Sequence, residues 1–365
     1  MVSRFKLSRR AVLKGIAASA VIPSPSFAAD TTPLVTLARE AGLMFGAAGH
    51  DEIFADTDYA NLVLRETGLF VPEIALKFDA LRPDANSFAF DKADAQIRYC
   101  ENHKKLVRGH TLLWNDWPPN WLKKASSYDI PTILDRHIDT VVGRYAGRIQ
   151  SWDVVNEPFH PALDRPGTYR KGPWFDALGE EYIFRAFQRA SRADPKAKLV
   201  LNEAWTERSD TLGVAVRKGM LTLIDKMQSR GVKLDAIGLQ SHLAPGTPAD
   251  DDGFVAFLLD IQKRGLDIYL SEFDITDHTY VGTVFDRDRQ VAERAYQFLT
   301  KALSVKAVKA VITWELADRY TWYRQPSVID GMRLTRLARP LPFDDDLKAK
   351  PMRDAMAKAF RERKV

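Results

Sequence analysis

Cys100 is the only cysteine in 365 residues, so no disulfide can form within the chain. It lies in a helix-like stretch and reads as a core residue. Linkers are missing too: after about residue 30, no repeat, low-complexity tract or Pro/Gly/Ser-rich stretch divides the sequence. One large domain is expected, and 45% hydrophobic residues are enough to fill its core. The formal excess of +5 comes from Arg4, Lys6, Arg9, Arg10 and Lys14 in a segment without acids. Residues 29–365 are therefore near neutral, which gives no reason to invoke nucleic acid or a membrane surface. His50, His103, His110, His137, His160 and His278 show no metal-ligand spacing. Neither a metal nor a cofactor is expected, and His110 is expected to orient neighbours beneath a site.

What the first 28 residues do contain is an export pattern. Ser8-Arg9-Arg10-Ala11-Val12-Leu13-Lys14 fits a twin-arginine signal. A moderately apolar stretch, Gly15 to Ile22, and a small-residue end at Ser26-Phe27-Ala28-Ala29 follow it. The stretch is too short to span a membrane and has the layout of a cleavable signal. Twin-arginine export carries folded protein, which agrees with a chain that needs no disulfide. The expected domains are 1–28, signal, and 29–365, catalytic barrel, with a periplasmic or extracellular destination.

Strand-like runs lie at 41–47, 69–76, 106–114, 149–156, 198–202, 235–241, 267–273 and 308–316. Helical patterns alternate with them near 54–66, 91–104, 130–147, 174–193, 208–230, 251–264, 285–304 and 348–361. Eight such units predict parallel strands, in an open doubly wound sheet or a closed barrel. Polar residues at the strand ends favour the barrel: Lys77, Asn115, Glu157, Glu203, His242, Glu272 and Glu315 all fall there. A (β/α)8 TIM barrel gathers its active site at that face.

Two of those residues carry the chemistry. Trp152-Asp153-Val154-Val155-Asn156-Glu157 and Tyr269-Leu270-Ser271-Glu272 each deliver a carboxylate at the end of a β-rich run. Strands four and seven lie on opposite sides of a barrel mouth, so the two carboxylates can face each other. Retaining glycosidases cut glycosidic bonds with such a pair held about 5–5.5 Å apart. Asn156 is placed to bond a sugar 2-hydroxyl. His242 is placed to bond Glu272, with Asp274 fixing the imidazole from its other nitrogen. That pairing is expected to keep Glu272 ionised, while burial and nearby negative charge raise the Glu157 carboxyl.

At these residues the sequence resembles glycoside hydrolase family 10, the β-1,4-xylanase family, over nearly all of residues 29–365. The likeness runs through Glu73 and Lys77, then Pro83 and Phe88-Ala89-Phe90-Asp91-Lys92-Ala93-Asp94. It continues through Arg108-Gly109-His110-Thr111-Leu112-Leu113-Trp114, Trp152 to Glu157 and Gly238-Leu239-Gln240-Ser241-His242. Ser271-Glu272-Phe273-Asp274-Ile275 and Trp314, Asp318, Thr321-Trp322 complete it. The resemblance implies Glu157 as acid/base, Glu272 as nucleophile, and a β-linked polysaccharide or oligosaccharide as substrate. It places Glu73, Lys77, Trp114, Asn115, Trp117, Asn202, Trp205, Gln240, Trp314 and Trp322 at the sugar subsites. A monomer is expected. Tryptophan suits that task because its flat face packs on a pyranose while its N–H bonds a hydroxyl.

Departures from the family pattern fall in recognition. Ile74 stands where the family usually has Asn. Asn115-Asp116-Trp117 replaces His-Ser-Gln, and Asn202-Glu203-Ala204-Trp205 replaces Asn-Asp-Tyr-Asn. Altered specificity, exo action and a purely carbohydrate-binding barrel are therefore kept beside endo-xylanase action. Asp344-Asp345-Asp346 reads as a solvated loop or helix cap. Arg333, Arg336 and Arg339 read as surface charge, with contact to an acidic sugar branch as the alternative.

Overall fold

A computed structural model describes residues 30–160, 168–245, 251–332 and 334–364. Residues 1–28, expected to be an export signal, and Arg333 lie outside the described residues. Eight strand positions close into one parallel barrel: β1 (Met44–Gly49), β2 (Leu69–Pro72), β3 (Leu106–Gly109, resuming at Leu113–Trp114), β4 (Ser151–Asn156), β5 (Lys198–Glu203), β6 (Ala236–Leu239, resuming at His242–Leu243), β7 (Asp267–Ile275) and β8 (Val308–Thr313). Closure is made by β1 against β8, with Met44 opposite Ala310 and Ala47 opposite Thr313. The barrel expected from the strand-end pattern is the one observed, and each expected strand segment overlaps an observed strand.

Alternation along the strands builds two cores. Ala48, Leu69, Val71, Val200, Ala310 and Ile312 point inward and form a cluster of their own. Their neighbours Ala47, Phe70, Leu199, Leu201 and Val311 face outward into the larger core beneath the helices. A period-2 pattern with both faces buried is what a closed parallel sheet requires.

Helices follow every strand, and local chemistry sets their ends. Asp56 accepts from Tyr59 N, Asp210 accepts from Gly213 N, and Thr283 with Asp286 forms a reciprocal capping box at Val284–Ala302. The helical pattern expected at 174–193 is split into Pro173–Leu178 and Glu181–Ala193, because Gly179 takes φ +57° between them. A helix not read from the sequence, Leu34–Glu40, packs against the final helix, Pro351–Glu362. Cys100 is buried in Asp91–Asn102, as expected, and burial pushes its thiol up to about 12. Among the described residues, no helix is long and apolar enough to cross a membrane.

The strands end abruptly where function is expected. Glu157, Trp205, Ser241 and Glu315 all take left-handed backbone, with φ between +50° and +69°. Such a conformation costs a non-glycine residue on the order of 1–2 kcal/mol. It turns the chain sharply at the barrel mouth, so side chains that would have continued the strand alternation are re-aimed.

Candidate active site

At the C-terminal mouth lies a cleft of about 620 Å³. Glu73, Lys77, Trp114, Trp117, Asn156, Glu157, Trp205, Gln240, His242, Glu272, Trp314 and Trp322 line it. All of these were expected there.

Glu272, near the middle of β7, is almost wholly buried, and each carboxylate oxygen has its own partner. Asn202 Nδ2 donates to Oε1 at 2.6 Å, and His242 Nε2 reaches Oε2 at 3.2 Å. His242 Nδ1 meets Asp274 Oδ2 at 2.9 Å. Burial opposes a charged imidazole, but Asp274 and Glu272 outweigh it and hold His242 protonated well above its usual range. The two carboxylates thus favour the charged imidazole, with each ring nitrogen placed to donate to one of them. Trp322 Nε1 and Tyr323 Oη also donate to Asp274, at 2.9 and 3.1 Å, which fixes the carboxylate that fixes the histidine.

Glu157 follows β4, with its backbone N–H donating to Asn202 O at 2.8 Å. Its Oε1 accepts from Gln240 Nε2 at 2.8 Å and its Oε2 from Trp114 Nε1 at 3.0 Å. Gln240 Nε2 also lies 3.4 Å from Asn156 Oδ1, which accepts from Asn202 Nδ2 at 2.8 Å. One continuous chain of amides, Gln240–Asn156–Asn202, thus joins the two carboxylates across the mouth.

Two expected subsite residues are not in the cleft. Asn202 is completely buried below it, drawn down by Asn156, Glu272 and Ser271, whose Oγ donates to Asn202 Oδ1 at 2.6 Å. Gly238 on β6 makes that position possible, since a Cβ there would stand 2.1 Å from Asn202 Oδ1. Asn115 is also buried and turns toward Tyr182, donating to its hydroxyl at 3.3 Å. Gly172 sits against Asn115, and the residue borders a separate hollow of about 460 Å³. Both asparagines lie behind the cleft lining.

The strand-end ring is likewise only partly a cleft. Glu203 is buried under the loop after β4 and accepts from Phe159 N and Ala204 N at 3.0 and 2.9 Å. Burial pushes its carboxyl well above the ordinary range. Glu315 is buried behind Glu73, with His50 Nε2 at 3.4 Å and Tyr59 Oη donating at 3.1 Å. His50 Nε2 is 3.0 Å from Glu73 Oε2. Burial works against charge on Glu73, but His50, Glu315 and Lys77 hold its carboxyl down at about 2. Burial and the Glu73 charge push Glu315 well up, which favours a protonated Glu315 beside a charged Glu73. Ligand atoms of His50, Glu73 and Glu315 lie within 4.8 Å of one another, close enough in principle for an ion.

Sequence reasoning missed Arg170, whose guanidinium reaches Asp116, the Glu157 carbonyl and the Glu157 carboxylate. It also missed Glu207, Arg208 and Tyr323 in the cleft wall, and the short helix Pro326–Met332 beside it. His110 also lines the cleft, with Nδ1 3.0 Å from Asp153 Oδ2. Two arginines after β8 are engaged rather than free for an acidic sugar. Arg336 donates to the carbonyls of Asp277 and His278, at 2.7 and 3.2 Å, and Arg339 pairs with Asp288 at 2.7 Å.

Comparison with known proteins agrees with this geometry. Residues 34–359 match the sequence profile described as Glycosyl hydrolase family 10. The chain is 32% identical to endo-1,4-beta-xylanase 2 of Claviceps purpurea, over 87% of this chain and 93% of that one. It is 29% identical to endo-1,4-beta-xylanase B of Thermotoga neapolitana, over 93% and 95%. Among solved structures, xylanase 10B of Thermotoga petrophila RKU-1, in complex with xylobiose, superimposes with a TM-score of 0.82. That pair is 28% identical, over 92% of this chain and 99% of the other.

Proposed function

We propose the chemistry below for a chain that belongs to glycosyl hydrolase family 10. It is a retaining endo-β-1,4-xylanase that hydrolyses xylosidic bonds in a polysaccharide. Glu272 attacks the anomeric carbon while Glu157 gives its proton to the glycosidic oxygen, and the C–O bond breaks. The leaving sugar departs and a glycosyl-enzyme remains. Glu157 then takes a proton from water, the hydroxide so formed attacks the same carbon, and Glu272 is released. Asn156 and Gln240 orient the acid side, and Asn202 and the His242 cation orient Glu272. Lys77, Trp114, Trp205, Trp314 and Trp322 hold the sugars. The observation that carries this reading is the amide chain that joins Glu157 to Glu272 across the barrel mouth.

The test is product analysis by mass on xylan, glucuronoxylan, mixed-linkage glucan, cello-oligosaccharides and glucomannan, beside Glu272→Ala. Short xylo-oligosaccharides from the wild type alone support the reading. Equal turnover by Glu272→Ala overturns the role of Glu272.

A second reading keeps the mechanism and changes the glycan. Ile74 is 40% and Trp117 63% exposed in the cleft wall, both where the family usually offers polar groups. An apolar wall there favours a less hydroxylated or differently shaped unit at one end of the cleft. Turnover confined to a substrate other than xylan would favour it.

We further propose export by residues 1–28 through the twin-arginine route, supported by Arg9-Arg10 and the following apolar stretch. Replacing both arginines by lysine is expected to leave activity in the cytoplasm; unchanged export counts against the proposal. Because both carboxylates and the lining residues come from one chain, a monomer suffices, and sedimentation would test it.

A further inference from the structure

Arg170 ends a short paired arm after β4, in which residues 158–160 lie antiparallel to residues 168–170. Phe159 and Tyr169 pair as an antiparallel bridge, His160 N donates to Thr168 O at 2.7 Å, and Arg170 N donates to Pro158 O at 2.7 Å. The arm returns a buried guanidinium to Glu157, the residue where β4 turns left-handed at φ +50°. Arg170 then holds Glu157 at two points: Nε donates to its carbonyl at 2.9 Å, and Nη2 pairs with Oε2 at 3.1 Å. Nη1 donates to Asp116, from the loop after β3. The guanidinium also stands 5.6 Å from the Trp205 ring, after β5. Three loops therefore converge on one arginine, and that arginine touches the backbone and the carboxyl of the same glutamate.

We infer that Arg170 is the positioning residue for Glu157 and sets how readily Glu157 parts with its proton, with Asp116 as its moderating counter-charge. This rests on the acid/base reading of Glu157. When Glu157 protonates the leaving oxygen, its carboxylate is left 3.1 Å from a guanidinium. A cation there stabilises that state and strengthens the acid. Too much stabilisation would leave a poor base for the second half of the reaction. Asp116, whose side chain is 43% exposed, offsets part of the cation's field. Among the described residues, the other charged and titratable groups around Glu157 and Asp116 are Glu203 beneath the arm, His160 near Asp116, Glu272 and His242 across the mouth, and Lys77 over Trp114. None of these forms an ion pair with Glu157 among the described residues; Arg170 does. The left-handed backbone at Glu157 makes the carbonyl contact more than incidental, because that conformation persists only where its surroundings hold it.

The experiment compares two substrates and three variants. Xylan needs a proton for its leaving group, whereas a 2,4-dinitrophenyl β-xylobioside departs without one. Arg170→Met is expected to lower kcat/KM on xylan by about 10- to 100-fold, within the range of a general acid's contribution. On the dinitrophenyl substrate it changes little. Its basic limb on xylan moves to higher pH, because the carboxyl keeps its proton longer. Asp116→Asn moves the same limb to lower pH, because the guanidinium is no longer offset. Arg170→Lys keeps the charge and loses the fork, so it restores the limb but not the full rate. Opposite shifts from Arg170→Met and Asp116→Asn are a signature that simple loosening of the fold cannot produce. Equal losses on both substrates with unmoved limbs overturn the inference. Should Arg170→Met fail to fold, Asp116→Asn decides alone: a limb that stays in place overturns it. Glu157→Gln runs beside them, and if it treats both substrates alike, the acid/base reading itself fails.

Discussion

Asn202 donates a 2.6 Å hydrogen bond to Glu272 Oε1 from a side chain with no exposure to solvent. The same nitrogen donates to Asn156, while Asn202 Oδ1 accepts from Ser271. It has no room to turn, so Glu272 meets a donor whose position is set before substrate arrives. Removing the donor with Asn202→Ala is expected to lower kcat on xylan by about 10- to 100-fold, as for a charged hydrogen bond of about 1.5–3 kcal/mol. Asn202→Asp should be worse, because a carboxylate then faces a carboxylate. Stopped-flow release of dinitrophenol reads the glycosylation step, and wild-type kinetics in either variant would sink the assignment.

The fold and the two carboxylates were legible because each depends on patterns local to the chain. Eight strand–helix alternations and two glutamates at strand ends need no knowledge of loop paths. Arg170 was not legible: it lies 13 residues beyond Glu157, and no periodicity marks its pairing against Pro158. The burial of Asn115 and Asn202 was not legible for a related reason. A strand-end position says which face of the barrel a residue reaches, but not whether its side chain tilts into the cleft or under it. That choice was made by neighbours distant in sequence, Gly238 for Asn202 and Gly172 with Tyr182 for Asn115. The proximity of Glu73 to Glu315 depends on barrel closure, which places β8 beside β1 and β1 beside β2.

Trp114 and Trp117 stack at 6.4 Å between centroids and 15° between planes in the cleft wall. With Ile74 exposed in the same wall, this part of the cleft offers apolar contact where the family usually offers polar groups. Trp117→Gln should raise KM for longer oligosaccharides by about 3- to 10-fold, from loss of an aromatic contact of about 0.5–1.5 kcal/mol. Ile74→Asn should lower KM on xylo-oligosaccharides by about 2- to 10-fold, if the new amide gains one hydrogen bond of about 0.5–1.5 kcal/mol. An unchanged substrate profile in both variants would mean that the wall does not touch the glycan.

The His242 cation also contributes to stability, and its pH window follows from the direction of its shift. Its folded-state pKa is raised above the unfolded value of about 6.5, so the folded protein binds the proton more tightly. That contribution is complete below about pH 6.5 and is lost as pH rises through the folded value. His242→Gln should therefore melt lower than wild type at pH 6, with the deficit shrinking toward alkaline pH. Calorimetric melting curves across that range check it, and a deficit that grows with pH would contradict the assigned charge.

Glu315 makes the opposite substitution informative. It is fully buried, next to Glu73, which favours its protonated form. Its folded pKa lies well above the unfolded value, so the stability it provides is lost as pH rises through the folded value. Glutamine imitates the protonated carboxyl: its amide can donate to Glu73 and its oxygen can accept from Tyr59, yet it has no proton to lose. Glu315→Gln should therefore be more stable than wild type at high pH, with a melting temperature higher by about 2 °C at pH 9. The gain should fade as pH falls toward 5, where wild-type Glu315 keeps its proton at little cost. A second variant, Glu73→Gln, separates this from a packing effect, because removing the charge on Glu73 relieves the proton-sharing from the other side. If Glu315→Gln is less stable than wild type at every pH, the carboxyl is ionised in the folded protein. Glu73, His50 and Glu315 would then form a charged cluster instead of a proton-sharing one.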